Sequence, residues 1–191
     1  MTTSRLEAFS DAVIAIAITI MVLEFKAPEG TDLDALRPIA PVFFTYVLSF
    51  VHLGIYWNNH HHLLHATEEV TGGVLWANLH LLFWLSLFPF MTEWMGENHF
   101  DKVPTAAYGI VLLCASIAYY ILQTVIVRAQ GPDSNLASAL GSDWKGKLSP
   151  AIYSAGILGA AFNRWLAVGC YCVVALIWLV PDRRLEPRPA R

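Results

Sequence analysis

The side chains best suited to chemistry are seven histidines, four of which fall in Asn59-His60-His61-His62-Leu63-Leu64-His65. On a helix, His61 and His65 stand at i and i+4 on one face, a spacing from which two imidazoles can hold a metal ion. Metal-dependent membrane oxygenases need several such boxes. Here His52, His80 and His99 form no second one, and no carboxylate repeats at the spacing of a metal-binding bundle. Structural or pH-responsive histidines are therefore expected rather than a metal centre. Ser, His and Asp all occur, but no nucleophile elbow, phosphate-binding loop or G-x-G-x-x-G turn presents them. The chain is not expected to be an enzyme or to bind a cofactor.

A second group lies at the other end of the polarity scale. Arg5, Phe9, Ser10 and Asp11 directly precede the apolar run Ala12–Leu23, and Glu24 follows it. A carboxylate beside hydrocarbon must be paired or hydrogen-bonded, or face water. Trp57, His60, His61 and Asn78 are the donors placed to satisfy it, provided the elements carrying them share one end of a bundle.

Composition says what those elements are. Of 191 residues, 56% are hydrophobic, 13% aromatic and only 14% charged, with mean hydropathy +0.50. Soluble domains carry about 25% charged residues, so this chain is read as a membrane protein. Its net charge of -3 offers no basic footprint, and nucleic acid is not an expected partner. Cys114, Cys170 and Cys172 all sit in apolar runs and read as buried free thiols.

Spanning the ~30 Å hydrocarbon layer takes about 20 residues. Uncharged runs place six transmembrane helices at roughly 5–25, 38–64, 70–92, 103–128, 148–162 and 164–181, in one domain covering 1–191. The last two, separated only by Asn163-Arg164, form a tight hairpin, and Pro89 ends or kinks the third helix. Arg5, Arg128, Lys145, Lys147, Arg183, Arg184, Arg188 and Arg191 fall on one side; Lys26, Arg37, Lys102 and Arg164 fall on the other. That bias puts both termini in the cytoplasm. The tail arginines are placed to touch anionic lipid.

Helix 1 is the least lipid-like span. It is built from Ala, Val, Ile and Thr, whose small or β-branched side chains let other helices approach closely. Ile16, Thr19 and Leu23 occupy i, i+3 and i+7, one stripe of a helix. Around an axis of several subunits that stripe would become stacked apolar and hydroxyl rings, which can sieve ions by width and dewetting. A packed core helix offers the same stripe.

The segment Arg5-Leu6-Glu7-Ala8-Phe9-Ser10-Asp11 reads R-x-x-x-F-S-D ahead of an apolar helix ending Leu23-Glu24. With Trp57 and His60-His61 on helix 2, and Trp76-Ala77-Asn78 on helix 3, it resembles the transmembrane protein 175 family of lysosomal and prokaryotic potassium channels. The likeness is clear over helices 1 to 3 and general beyond them.

The resemblance implies a six-helix subunit with cytoplasmic termini, assembled as a homotetramer in the prokaryotic plasma membrane. It implies passive conduction of potassium, and of other monovalent cations less well, past helix 1. By position from Asp11, Ile16 is the implied constriction, with Thr19 as a hydroxyl ring, Leu23 further along and Ile20 at the edge. The T-V-G-Y-G loop of carbonyl-lined filters is missing from the sequence, so side chains would have to select. The motif residues Arg5, Phe9, Ser10 and Asp11, with Trp57, His60, His61 and Asn78, are expected to lock helix 1 in place. A secondary ion- or proton-coupled transporter is the rival reading. It would need inverted repeats or broken helices at mid-membrane, and helices 4 to 6 do not echo the charge pattern of 1 to 3.

Overall fold

The computed structural model describes residues 2–131 and 144–179, and within them every regular element is helical. In chain order these are α1 (Thr3–Leu23), a 3-10 helix (Leu33–Ile39), α2 (Ala40–His65), α3 (Gly72–Ser86), α4 (Phe88–Glu97), α5 (Lys102–Gln130), α6 (Trp144–Ala160) and α7 (Arg164–Leu179). Four spans are long and apolar enough to cross a membrane: Thr3–Leu23, Leu33–His65, Gly72–Glu97 and Lys102–Gln130; Arg164–Leu179 is a shorter apolar helix. At 1.5 Å per residue, the 21 residues of α1 rise about 31 Å. The tail arginines Arg183, Arg184, Arg188 and Arg191 lie outside the described residues.

Local chemistry sets the boundaries. The Thr71 side chain accepts from the Val74 amide and caps α3, while Asp32 accepts from the Ala35 amide and caps the 3-10 helix. The third expected span is built as two helices, because Leu87 separates α3 from α4 and Pro89 occupies the first turn of α4. A proline there has no amide to lose and its fixed φ suits a helix start. His99 and Phe100, at φ 53° and 62°, turn the chain from α4 into α5 through left-handed backbone that L-residues seldom adopt. Phe100 is nevertheless buried, packed edge-on against Phe44 and tilted against Trp165.

Two packing groups share α5 and are also joined by a direct contact between α2 and α7. In one, α1, α2, α3 and α4 contact one another; in the other, α5, α6 and α7 do. Small residues permit the closest approaches. A Cβ at Gly109 would overlap the Tyr171 hydroxyl, which donates to the Thr105 carbonyl at 3.1 Å, and would sit 2.9 Å from Ile157 Cγ1. One at Gly96 would stand 2.8 Å from the Val42 Cα. The bundle is therefore held by shape as much as by apolar area, as expected where lipid tails are as apolar as the side chains.

Candidate functional site

The face of α1 that points into the subunit is narrow and fully used. Ser10, Ile14, Ala17 and Met21 succeed one another at helical steps and are buried, on the side packed against α2, α3 and α4. The opposite face carries Ala12, Ala15, Ile16, Thr19 and Leu23, all exposed. The contrast is large: Ile14 and Met21 are each 1% exposed, Ile16 is 56% and Leu23 79%. Ile20, at 39%, borders the stripe. The Thr19 hydroxyl donates back to its own helix, 3.0 Å from the Ala15 carbonyl and 2.9 Å from that of Ile16. Its hydrogen is thus occupied, and the oxygen keeps acceptor capacity on the exposed side.

What fixes that stripe is a polar bracket at the first turns of α1. The Asn78 amide donates to Ser10 Oγ at 2.9 Å, and the Ser10 hydroxyl donates to the Leu6 carbonyl at 2.9 Å. With its NH₂ so used, Asn78 presents Oδ1 to His60 Nε2 at 2.7 Å. An amide oxygen only accepts, so Nε2 carries the proton there. The three side chains are completely buried and tie α1, α2 and α3 together.

Nearer the surface, the Trp57 indole donates to Asp11 Oδ1 at 3.0 Å, and His61 Nδ1 donates to Glu7 Oε1 at 2.7 Å. The Trp57 and His65 rings both stack on the His61 ring, with centroids at 6.2 and 6.0 Å. Thr3 adds a bond to the Thr67 carbonyl.

Ser10, Asp11, Trp57, His60, His61 and Asn78 are thus brought together. Arg5 and Phe9 are not: both are exposed, and the Arg5 guanidinium makes no ion pair among the described residues. Three further residues belong to the bracket although the sequence did not single them out. Glu7, Thr3 and Thr67 are ordinary polar residues at helix ends, and only their long-range partners distinguish them.

The far end of α1 is held by a second polar group. The Thr92 hydroxyl donates to the Phe88 carbonyl at 2.6 Å and lies 2.7 Å from Ser49 Oγ and 3.5 Å from the Met21 sulfur. Ser49 in turn is 2.9 Å from the Tyr108 hydroxyl. Beyond the span, Lys26 Nζ donates to Glu97 Oε1 at 2.6 Å, and that hydrogen bond and charge raise the lysine above its ordinary pKa. The pair is exposed and adds little stability.

Among the described residues, no group of three or more His, Cys, Asp or Glu side chains is placed to hold a metal ion. The histidine run instead serves α1, through Asn78 and Glu7.

Comparison with known proteins meets this arrangement. Residues 5–89 match the family model described as endosomal/lysosomal potassium channel TMEM175. A potassium channel of Chryseobacterium sp. (strain P1-3) is 54% identical over 186 residues, 97% of each chain. A potassium channel of Streptomyces collinus is 34% identical over 132 residues, 65% of this chain and 64% of that one. The crystal structure of a lysosomal potassium-selective TMEM175 homologue from Chamaesiphon minutus matches with a TM-score of 0.81 at 25% identity, over 94% of this chain and 97% of that chain. These proteins are ion channels rather than enzymes, and this multi-pass membrane chain belongs to the TMEM175 family.

Proposed function

We infer that the chain is the subunit of a potassium-selective cation channel in which α1 lines the pathway. The observation that carries this reading is the division of α1 into a face locked by buried hydrogen bonds and an exposed face of Ile16, Thr19 and Leu23. The exposed face carries the Thr19 hydroxyl among small and β-branched side chains, a make-up that suits a path between subunits better than a surface against lipid.

Four copies arranged with these faces toward a common axis would form an Ile16 constriction flanked by a Thr19 hydroxyl ring, with Leu23 beyond it and Ile20 at the margin. An apolar ring forces a passing cation to shed part of its water without offering replacement oxygens. Sodium holds its water more tightly than potassium, so the ring penalises sodium more, and discrimination arises with no carbonyl cage. No cofactor is required, and the ion itself is the substrate. The lysine and arginine bias of the loops supports cytoplasmic termini, and the bacterial relatives support a prokaryotic plasma membrane.

The test is the reversal potential of the purified protein in planar bilayers with potassium on one side and sodium on the other. A reversal displaced toward the potassium equilibrium potential is expected. A reversal at zero, or flux that requires a proton gradient, would overturn the reading in favour of a non-selective pore or a coupled transporter.

A further inference from the structure

Two exposed stripes flank α1. On α2, Phe43, Val47, Phe50, Gly54 and Trp57 follow one another at helical steps. The four large side chains are 42–57% exposed, and a Cβ at Gly54 would meet nothing within 4 Å. On α3, Trp76, His80 and Phe83 form the second stripe and are all exposed. α1 packs against both helices, and Trp57 reaches across to Asp11 on it.

His80 marks the second stripe as unsuited to lipid. The Trp84 indole donates to His80 Nε2 at 3.0 Å, so the neutral ring carries its proton on Nδ1. That N–H lies on the exposed side of the apolar span Gly72–Glu97, eight residues or about 12 Å past the start of α3. Among the described residues no acceptor in the subunit meets it. Hydrocarbon offers none, and ionisable side chains within a membrane face other helices or water.

The stripes also match in height. The short connection between α2 and α3 puts the end of one and the start of the other on the same side of the bundle. Gly54 stands eleven residues before His65, and Phe83 eleven residues after Gly72, so both lie about 16 Å from that side. One stripe thus offers a bulky ring where the other has a gap, and a glycine lets a neighbouring helix come close. Backbone carbonyls beside the gap keep a second lone pair for a donor.

We propose that these stripes are the two halves of the contact between adjacent copies of this chain. The α3 stripe of one subunit packs on the α2 stripe of the next, with Phe83 seated at Gly54 and His80 Nδ1–H directed at the carbonyls beside it. The proposal rests on the reading that the α1 faces turn toward a common axis. Each copy offers a different stripe to each neighbour, the arrangement from which closed rings are built. Five half-exposed aromatic rings contribute roughly 100 Å² each. With Val47, His80 and the edges of α1, the contact is on the order of 1,000 Å², the size of a stable interface.

The test uses the full chain in lipid vesicles with Cys114, Cys170 and Cys172 replaced. Gly54→Cys and Phe83→Cys are introduced together, treated with a short bis-methanethiosulfonate and run on denaturing gels. A ladder reaching four subunits is expected, with no cross-link in either single variant and only dimers when the two single variants are co-expressed. Assembly is read separately by native mass spectrometry of Gly54→Leu and Gly169→Leu. A Cβ meets nothing within 4 Å at either glycine, so neither change disturbs the subunit itself, and only Gly54 lies on a stripe. Gly54→Leu should lower the assembled fraction roughly tenfold, because the gap is then overfilled, and Gly169→Leu should leave it unchanged. An assembled protein whose cysteine pair does not link, whose single variants link to themselves, or whose Gly54→Leu variant assembles normally would overturn the contact. The potassium reversal potential would then still stand for the channel reading. A ladder formed by a protein with no selective current would keep the contact and overturn that reading instead.

Discussion

Replacing Ile16 by Asn is expected to lower the potassium-over-sodium permeability ratio by roughly tenfold while leaving the protein folded. Ile16 is 56% exposed in the subunit and makes no polar contact with its side chain, so its removal leaves no cavity and no orphaned donor. The substitution brings an amide that can both donate and accept. Four such amides around a narrow path would replace part of the water a cation must give up, and the extra cost that sodium meets at an apolar ring would vanish. For a monovalent ion a tenfold change in ratio is about 59 mV of reversal potential, well outside experimental scatter. Conductance should rise at the same time, because a wetted constriction no longer gates by excluding water. Ile14→Asn, two residues away but buried, should instead abolish folding.

The second large effect belongs to Asn78. Asn78→Leu keeps the approximate volume but strands the completely buried His60 Nε2–H and removes the donor to Ser10 Oγ, which keeps its own bond to the Leu6 carbonyl. Interhelical hydrogen bonds in membrane proteins average about 0.6 kcal/mol each, whereas an unsatisfied buried group costs about 1–3 kcal/mol. The orphaned imidazole N–H therefore dominates, and with the two lost bonds a loss of about 2–3 kcal/mol is expected, lowering the thermal midpoint of the detergent-solubilised protein by roughly 5–10 °C. Adding His60→Phe should restore part of the loss, since two apolar partners leave less unmet than one polar one. A double-mutant coupling near zero would mean that His60 and Asn78 do not act as a unit.

Much of this was legible in the sequence, and for identifiable reasons. Lengths of uncharged runs disclosed the helical, multi-span character, because a bilayer imposes one length on every crossing segment. Helical spacing alone gathered Ile16, Thr19 and Leu23 onto one stripe. Spacing could not tell an exposed stripe from a packed one; that needed the burial of Ser10, Ile14, Ala17 and Met21 on the other side.

The bracket was accessible only in part. Ser10, Asp11, Trp57 and Asn78 stand out as polar or amphipathic groups at the ends of apolar runs. Glu7 and Thr67 do not, and their partners lie 54 and 64 residues away in sequence. Arg5 shows the converse: a cation near carboxylates in sequence that pairs with none of them among the described residues. The left-handed turn at His99 and Phe100 was out of reach as well, since neither residue type prefers it strongly enough to announce it. The Thr92–Ser49–Tyr108 group was hidden because single hydroxyls in apolar helices usually bond back to their own backbone.

That the exposed face of α1 lines the ion path is tested most directly by thiol accessibility from within that path. With Cys114, Cys170 and Cys172 replaced, Thr19→Cys and Ala17→Cys are compared for block of potassium current by silver ion, a thiol reagent small enough to follow the permeant ion. Thr19 is exposed and Ala17 is 4% exposed, two residues apart on opposite faces of α1. Rapid, irreversible block of Thr19→Cys with little effect on Ala17→Cys is the expected result. Equal rates at both positions, or block of neither while current flows, would contradict it and place the ion path elsewhere in the bundle.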